Sequence, residues 1–323
     1  ILAVGDLDPM RPWGIYTLDE PLAEKVLMPG LVEGHCHLKE GSVWDMHYLG
    51  WFDRRDPNGK IWAGLRSMDA VVARLSEIDA QMRSAGKGDT APLIAWGFDP
   101  IYFGGERMTV EHLDRVSKTR RIVVTNANGH MMNVNSAMLR LADITRDNEV
   151  EGVVKFQSGA NAGEPTGELQ EPAAMFLVVR KIGETGVLAP MTEDGVRSFA
   201  ALACMQGVTT ATDLVNRLTD ADCKVLESAL ADDDCSIRIL PAFQAFHGTH
   251  GAALGAEHVK GLVSRNTDRL RYGLVKMMLD GSIQGFSARL RWPGYFNGAP
   301  NGIWVTAPAQ YEVDFETYHR AGL

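Results

Sequence analysis

The sequence predicts an α/β chain built from parallel β-α-β units, and three observations carry that expectation. The β-prone run Gly207-Val208-Thr209-Thr210-Ala211-Thr212-Asp213 is followed by a helical stretch over 221–231 and then by a second apolar run, Ile237-Arg238-Ile239-Leu240-Pro241-Ala242-Phe243-Gln244. Strands laid in parallel need a crossover of that kind between them. An apolar run entering through Pro29-Gly30 ends in His35 and His37, two histidines one residue apart. A further run, 272–282, holds Lys276 with apolar residues on both sides. At 323 residues the chain has room for one large barrel or for two domains.

Taken in order, residues 1–27 hold short β-prone pieces, Leu2-Ala3-Val4-Gly5 and Gly14-Ile15-Tyr16-Thr17-Leu18, broken by turn signals. Ile1 is not an initiator Met, and no basic region followed by an apolar stretch opens the chain, so it is expected to begin inside a longer protein rather than with a signal peptide. Over 68–83 the apolar residues Val71, Val72, Leu75, Ile78 and Met82 recur at helical spacing. Strands are expected over 92–98 and 121–126, with Thr109 capping a helix over 110–117. Helix 195–206 carries Val196, Phe199, Ala200, Leu202, Ala203 and Met205 and ends at Gly207. Beyond Lys276 the chain is turn-rich, with a last helix near 311–320.

Composition narrows the partners. A content of 45% hydrophobic and 23% charged residues is that of an ordinary globular protein. The net charge of -9, with no basic run, argues against a nucleic-acid partner. No apolar window approaches the roughly 18 residues that span a membrane, so none is expected as a partner. Cys36, Cys204, Cys223 and Cys235 lack paired spacing, and four free buried thiols in a reducing, cytoplasmic compartment are expected.

The histidine pair and the lysine carry the chemistry. Side chains at i and i+2 of a strand share a face, so His35 and His37 project together while Cys36 packs on the other side. Two imidazoles on one face suit a metal ion such as zinc, which accepts nitrogen at about 2.0–2.1 Å; two polar residues closing a strand is the plain alternative. A strand lysine among apolar residues is costly to bury charged. It either snorkels to the barrel mouth or, neutral, reacts with carbon dioxide to give a carbamate able to bridge two metal ions.

Met28-Pro29-Gly30-Leu31-Val32-Glu33-Gly34-His35-Cys36-His37 resembles the first barrel strand of the amidohydrolase superfamily, with Glu33 and Gly34 in place of the commoner Asp and small residue. Two further segments are similar to the YtcJ-like branch, amidohydrolase family 3. One is Gly129-His130, followed by Val134-Asn135-Ser136-Ala137 and closed by Met138-Leu139; the other is Gly163-Glu164-Pro165-Thr166-Gly167 with the acidic residues after it. Val275-Lys276 and Asp280-Gly281-Ser282 match the fourth strand of that branch.

The resemblance implies a (β/α)8 TIM barrel of which this chain holds four strands, beginning near 31, 207, 237 and 272. It also implies a β-sandwich remnant over 1–27 and, within a barrel domain spanning 28–323, a long insertion over about 39–190. By the same resemblance His35, His37 and Lys276 are metal ligands, for one or two divalent ions with zinc the simplest choice and carbon dioxide held as a lysine carbamate. His130 either contacts substrate or holds a loop, and Asp280 either orients substrate or stabilises its turn. Gly163 to Gly167 reads as an architectural turn, and Glu168 and Glu171 as solvated carboxylates unless they serve as acid-base groups. His247 and His250, in a Gly-rich loop, are weaker candidates. No catalytic residue is assigned within the chain, because the general-base Asp is expected beyond Leu323.

The implied activity is hydrolysis of an amide-type carbon-nitrogen bond in a small-molecule substrate by a metal-activated water. An esterase, deaminase or isomerase on the same scaffold is the alternative, as is a non-catalytic binding barrel. The missing half-barrel is expected in the same or another chain, and a homo-oligomer is compatible with this reading.

Overall fold

The computed structural model describes residues 5, 6, 8–183, 190–245, 251–283 and 285–323, with the side chain of Val215 left aside. In chain order the strands and helices are β1 (Leu31–Cys36), β2 (His47–Tyr48), β3 (Arg54–Arg55), β4 (Ile61–Trp62), α1 (Met68–Ser84), β5 (Leu93–Phe98), α2 (Val110–Asp114), β6 (Ile122–Asn126), β7 (Met131–Val134) and α3 (Ser136–Leu141). There follow β8 (Val153–Lys155), β9 (Pro165–Gln170), α4 (Glu171–Ile182), α5 (Glu193–Met205), β10 (Val208–Asn216), α6 (Asp220–Ala231), β11 (Arg238–Gln244), α7 (Gly251–Leu262), β12 (Leu274–Lys276) and α8 (Pro308–Arg320).

A curled, wholly parallel sheet, ordered β1-β10-β11-β12, is the expected half-barrel. Helices α5, α6 and α7 cover its outer face through Val196, Phe199, Leu226, Leu230, Val259 and Leu262, which pack on Ala211 and Ile239. At the β1 edge, which no other strand among the described residues covers, Val32 is 69% exposed. The fourth strand stops at Lys276, well short of the expected 282, since β11 offers its last pairing partner at Gln244.

Residues between β1 and β10 build a second sheet, ordered β2-β5-β6-β7-β9-β8. Strand β6 sends Ile122 and Val124 to one face, against α1 and α2, and Val123 to the other, against α3 and α4. Period-two alternation therefore gives a sheet buried on both sides. The Pro-Thr-Gly segment expected as a turn is strand β9; Gly167 takes φ +87, and a Cβ there would collide with the Val134 carbonyl oxygen. Asn135 is wholly buried: its Oδ1 accepts from Ile122 N and Met138 N, and its Nδ2 donates to the carbonyls of Ser117 and Arg120. The Val-Asn-Ser motif is thus a helix cap that also ties α3 to the loop before β6.

Some expectations are corrected. No strand forms among the described residues before Leu31, which make only short 3-10 turns at Asp8–Trp13 and Glu20–Leu22. The β-prone piece at 14–18 has no partner strand among the described residues and stays irregular; Leu2-Ala3-Val4 lie outside the described residues. The helix after Thr109 ends at Asp114 rather than Ser117. All four cysteines are free, but Cys204 is exposed.

Arg120 is completely buried, paired with Asp79 of α1 and donating to the carbonyls of Lys87, Gly88 and Ala91. Removing one partner of such a pair leaves an uncompensated charge. Asp79→Ala should therefore cost about 3–5 kcal/mol in denaturant unfolding, whereas a loss below about 1 kcal/mol would assign the pair no structural weight.

Candidate active site at the mouth of the half-barrel

The β1–β10 ladder shifts register between Glu33 and Cys36, where the histidine pair begins. Such irregularities re-aim side chains at strand ends. His35 and His37 share a face, their ring centroids 5.5 Å apart and their planes at 83°. Glu33 Oε1 accepts from the His35 amide at 3.0 Å. Cys36 faces the helices, its Sγ 3.3 Å from the Thr212 carbonyl oxygen, and burial pushes its thiol well above the ordinary range. Asp213, buried at the matching level of β10, accepts from the Leu38 amide and from Asn216 Nδ2, which anchors the chain just after the pair.

His37 is half-buried, and its Nδ1 is buried with no hydrogen-bond partner. Burial, then the positive potential of His35, His130 and Lys276, lowers its pKa to about 4. The ring is therefore neutral at pH 7, the form that binds metal. His35, His130 and Lys276 lie within electrostatic reach of His37; Lys276 ends β12, half-buried, while its neighbour Val275 packs into the outer core. Among the described residues no group of three or more His, Cys, Asp or Glu is arranged to hold a metal. The orphaned Nδ1 and neutral ring of His37, beside His35, fit part of a metal site.

His130 stands in the turn between β6 and β7. Its Nδ1 lies 2.9 Å from Glu171 Oε2, and Ser287 Oγ donates to Glu171 Oε1 at 2.6 Å. Glu171, 2% exposed and at φ +62, is no solvated turn carboxylate but a buried acceptor. A Cβ at Gly281 would sit 2.6 Å from Glu171 Oε1, so the glycine of Asp-Gly-Ser admits this carboxylate. Ser282 N donates in turn to Ser287 Oγ at 3.0 Å. Glu168 is also buried, and Arg107 and Gln170 hold it. Ser287 left no signal in the sequence, since its partner lies 116 residues away.

Asp280 Oδ2 accepts from the Arg289 amide at 2.8 Å, and Asp280 bridges to Trp304. It closes its own loop, outside strand β12. His247 and His250 lie outside the described residues.

A parallel half-barrel with an HxH pair closing its first strand and a lysine closing its fourth defines a chain of amidohydrolase type. The sequence profile of the amidohydrolase family matches residues 22–307, and the chain belongs to that family, in its family 3 branch. Protein LONG AFTER FAR-RED 3 of Arabidopsis thaliana is 26% identical over 218 residues, 66% of this chain and 33% of that protein. An uncharacterized metal-dependent hydrolase from Pyrococcus horikoshii OT3 shares the fold with a TM-score of 0.51 at 18% identity, covering 92% of this chain and 52% of that one. Another from Pyrococcus furiosus gives 0.48 at 19% identity, over 92% and 53% of the two chains. The chain thus spans a third of the plant protein and about half of each solved structure.

Two measurements test the site. In metal-free protein the His37 imidazole should titrate near pH 4 by NMR. Because that pKa lies below the unfolded value, the unfolded chain takes up the proton first, so stability should fall as pH drops from about 6.5 toward 4 and level off below; a His37 signal titrating near 6.5 would contradict this. Glu171→Ala leaves His130 Nδ1 and Ser287 Oγ without their acceptor and should cost about 1–3 kcal/mol in thermal or denaturant unfolding.

Proposed function

We propose that this chain contributes the N-terminal half of the active site of a metal-dependent hydrolase that cleaves an amide-type carbon-nitrogen bond. The observation that carries this reading is the His35/His37 pair on the open face of β1, with the His37 Nδ1 buried and unpartnered. His35 and His37 would hold one side of a divalent ion, zinc being the simplest choice, and Lys276 as its carbamate the other. Bound there, the ion lowers the pKa of water from 15.7 toward about 7 and polarises a carbonyl oxygen.

The chain's own residues prepare that chemistry. Asp213 fixes the end of β1, so the two imidazoles arrive with little freedom to move. The low pKa of His37 keeps its nitrogen lone pairs available at neutral pH. Ser287 and Glu171 orient His130, the substrate contact in this reading, with its Nδ1 engaged and Nε2 left for a ligand. The proton acceptor and the remaining ligands belong to a second half-barrel, in the same polypeptide or another. Membership of the amidohydrolase family supports the hydrolase class; the choice of a carbon-nitrogen bond is the part that a substrate panel must test.

His35→Ala and Lys276→Ala should each lower bound metal and reduce turnover of a responsive amide by about 100-fold or more. Metal content is read by elemental analysis, and activity against a panel of amides, esters and amino-heterocycles. Full activity without bound metal would overturn the reading. Carbamylation of Lys276 is read separately, as a carbon-13 signal from labelled bicarbonate that Lys276→Ala abolishes.

A further inference from the structure

We propose that Glu171 and Ser287 hold His130 as the tautomer with its proton on Nδ1, so that Nε2 is a hydrogen-bond acceptor and selects amide substrates that keep an N–H on the scissile nitrogen. The main chain supplies the frame. The His130 amide donates to Asn128 Oδ1 at 2.9 Å, and the His130 carbonyl accepts from the Glu171 amide at 2.8 Å. This extends by one pair the antiparallel β7–β9 ladder, in which Met131 faces Gln170. With both backbone groups engaged, the ring keeps only its side-chain torsions, and the 2.9 Å contact of Nδ1 with Glu171 Oε2 fixes those.

The hydrogen atoms can be assigned in turn. Ser287 Oγ accepts from the Ser282 amide at 3.0 Å, and its single O–H donates to Glu171 Oε1 at 2.6 Å rather than to the Ser282 carbonyl at 3.5 Å. Oε1 is therefore an acceptor. No arginine or lysine pairs with Glu171 among the described residues, and the residue is 2% exposed, so Oε2 takes its hydrogen from His130 Nδ1. Imidazole is the stronger base of the two, which places the shared proton on the ring. A neutral imidazole carries one N–H, and with that hydrogen on Nδ1 the Nε2 presents a lone pair.

That lone pair is reachable. The His130 side chain is 28% exposed, and its Nε2, unlike His37 Nδ1, is not closed off from solvent. The clamp behind it is strained: Glu171 holds φ +62, and strained backbone of this kind gathers at functional sites. His130 lies within electrostatic reach of His37, yet it stands between β6 and β7 of the other sheet. In a planar trans amide the N–H points away from the carbonyl oxygen. A substrate whose carbonyl faces the His35/His37 pair therefore offers its N–H to an acceptor set apart from that pair, and tertiary amides and esters have no hydrogen to offer. The inference rests on the hydrolase reading in taking His130 as a substrate contact.

The test uses the intact polypeptide, freed of metal so that nothing turns over, with nitrogen-15 labelled histidine, because protonated and unprotonated ring nitrogens resonate far apart. On the alkaline plateau of its titration the His130 ring, identified by the signals lost in His130→Ala, should carry its proton on Nδ1. Glu171→Gln offers Ser287 an oxygen and Nδ1 an NH2 group, so the proton should move to Nε2, as when an Asp beside a catalytic histidine becomes Asn. Acetanilide and N-methylacetanilide, in which a methyl group replaces the amide hydrogen, are then compared by ligand-observed NMR. Wild type should bind acetanilide about tenfold more tightly or better, and Glu171→Gln and His130→Ala should bind the two within about threefold of each other. A wild-type Nε2 that carries the proton, a tautomer unchanged in Glu171→Gln, or equal binding of the two anilides by wild type would overturn the inference. The expected tautomers and anilide preference in a protein that hydrolyses no amide would retain it and sink the hydrolase reading, and amide hydrolysis without that preference would do the reverse.

Discussion

The Glu171 carboxylate is the interaction on which the site's arrangement depends. It lies at the start of α4 in the second sheet's layer, yet it accepts from Ser287, which follows the last strand of the half-barrel, and contacts His130 between β6 and β7. A buried carboxylate with fewer partners would be strongly unfavourable. The left-handed backbone at Glu171 adds about 1–2 kcal/mol of strain, which these charge-assisted hydrogen bonds offset. The two sheets are therefore joined at a polar point beside the mouth rather than through apolar packing alone.

That junction explains why the family's motifs fall where they do. Gly281 leaves room for the Glu171 oxygen, Ser282 holds Ser287, and Asn135 and Gly167 build the turn and strand that carry His130 and Glu171 to the seam. None of these residues needs to touch a reacting atom. They bring His130 into the electrostatic reach of His37, which also feels the charge of Lys276.

Regular elements are legible in the sequence because their signal is local. The spacing of Val71, Leu75 and Ile78 announces α1, and the alternation in β6 follows from residues that are adjacent in the chain. Elements whose limits depend on a partner are not legible in this way. Strand β12 ends where β11 stops pairing, and the Pro-Thr-Gly segment is a strand because β7 and β8 lie on either side of it. Glycine and proline signal a turn only while no neighbouring strand claims the backbone.

The residue pattern alone is enough to establish the parallel β-α-β order and the shared face of His35 and His37, since a period of two puts both imidazoles on one side of any strand. It is also enough to place Cys36 opposite them. Folding had to supply the rest: that Glu171 is a buried acceptor, that burial lowers the His37 pKa, and that aromatic side chains separated by tens of residues line one cavity. Burial and field are sums over neighbours brought together from distant parts of the chain, and no local pattern of residues encodes them.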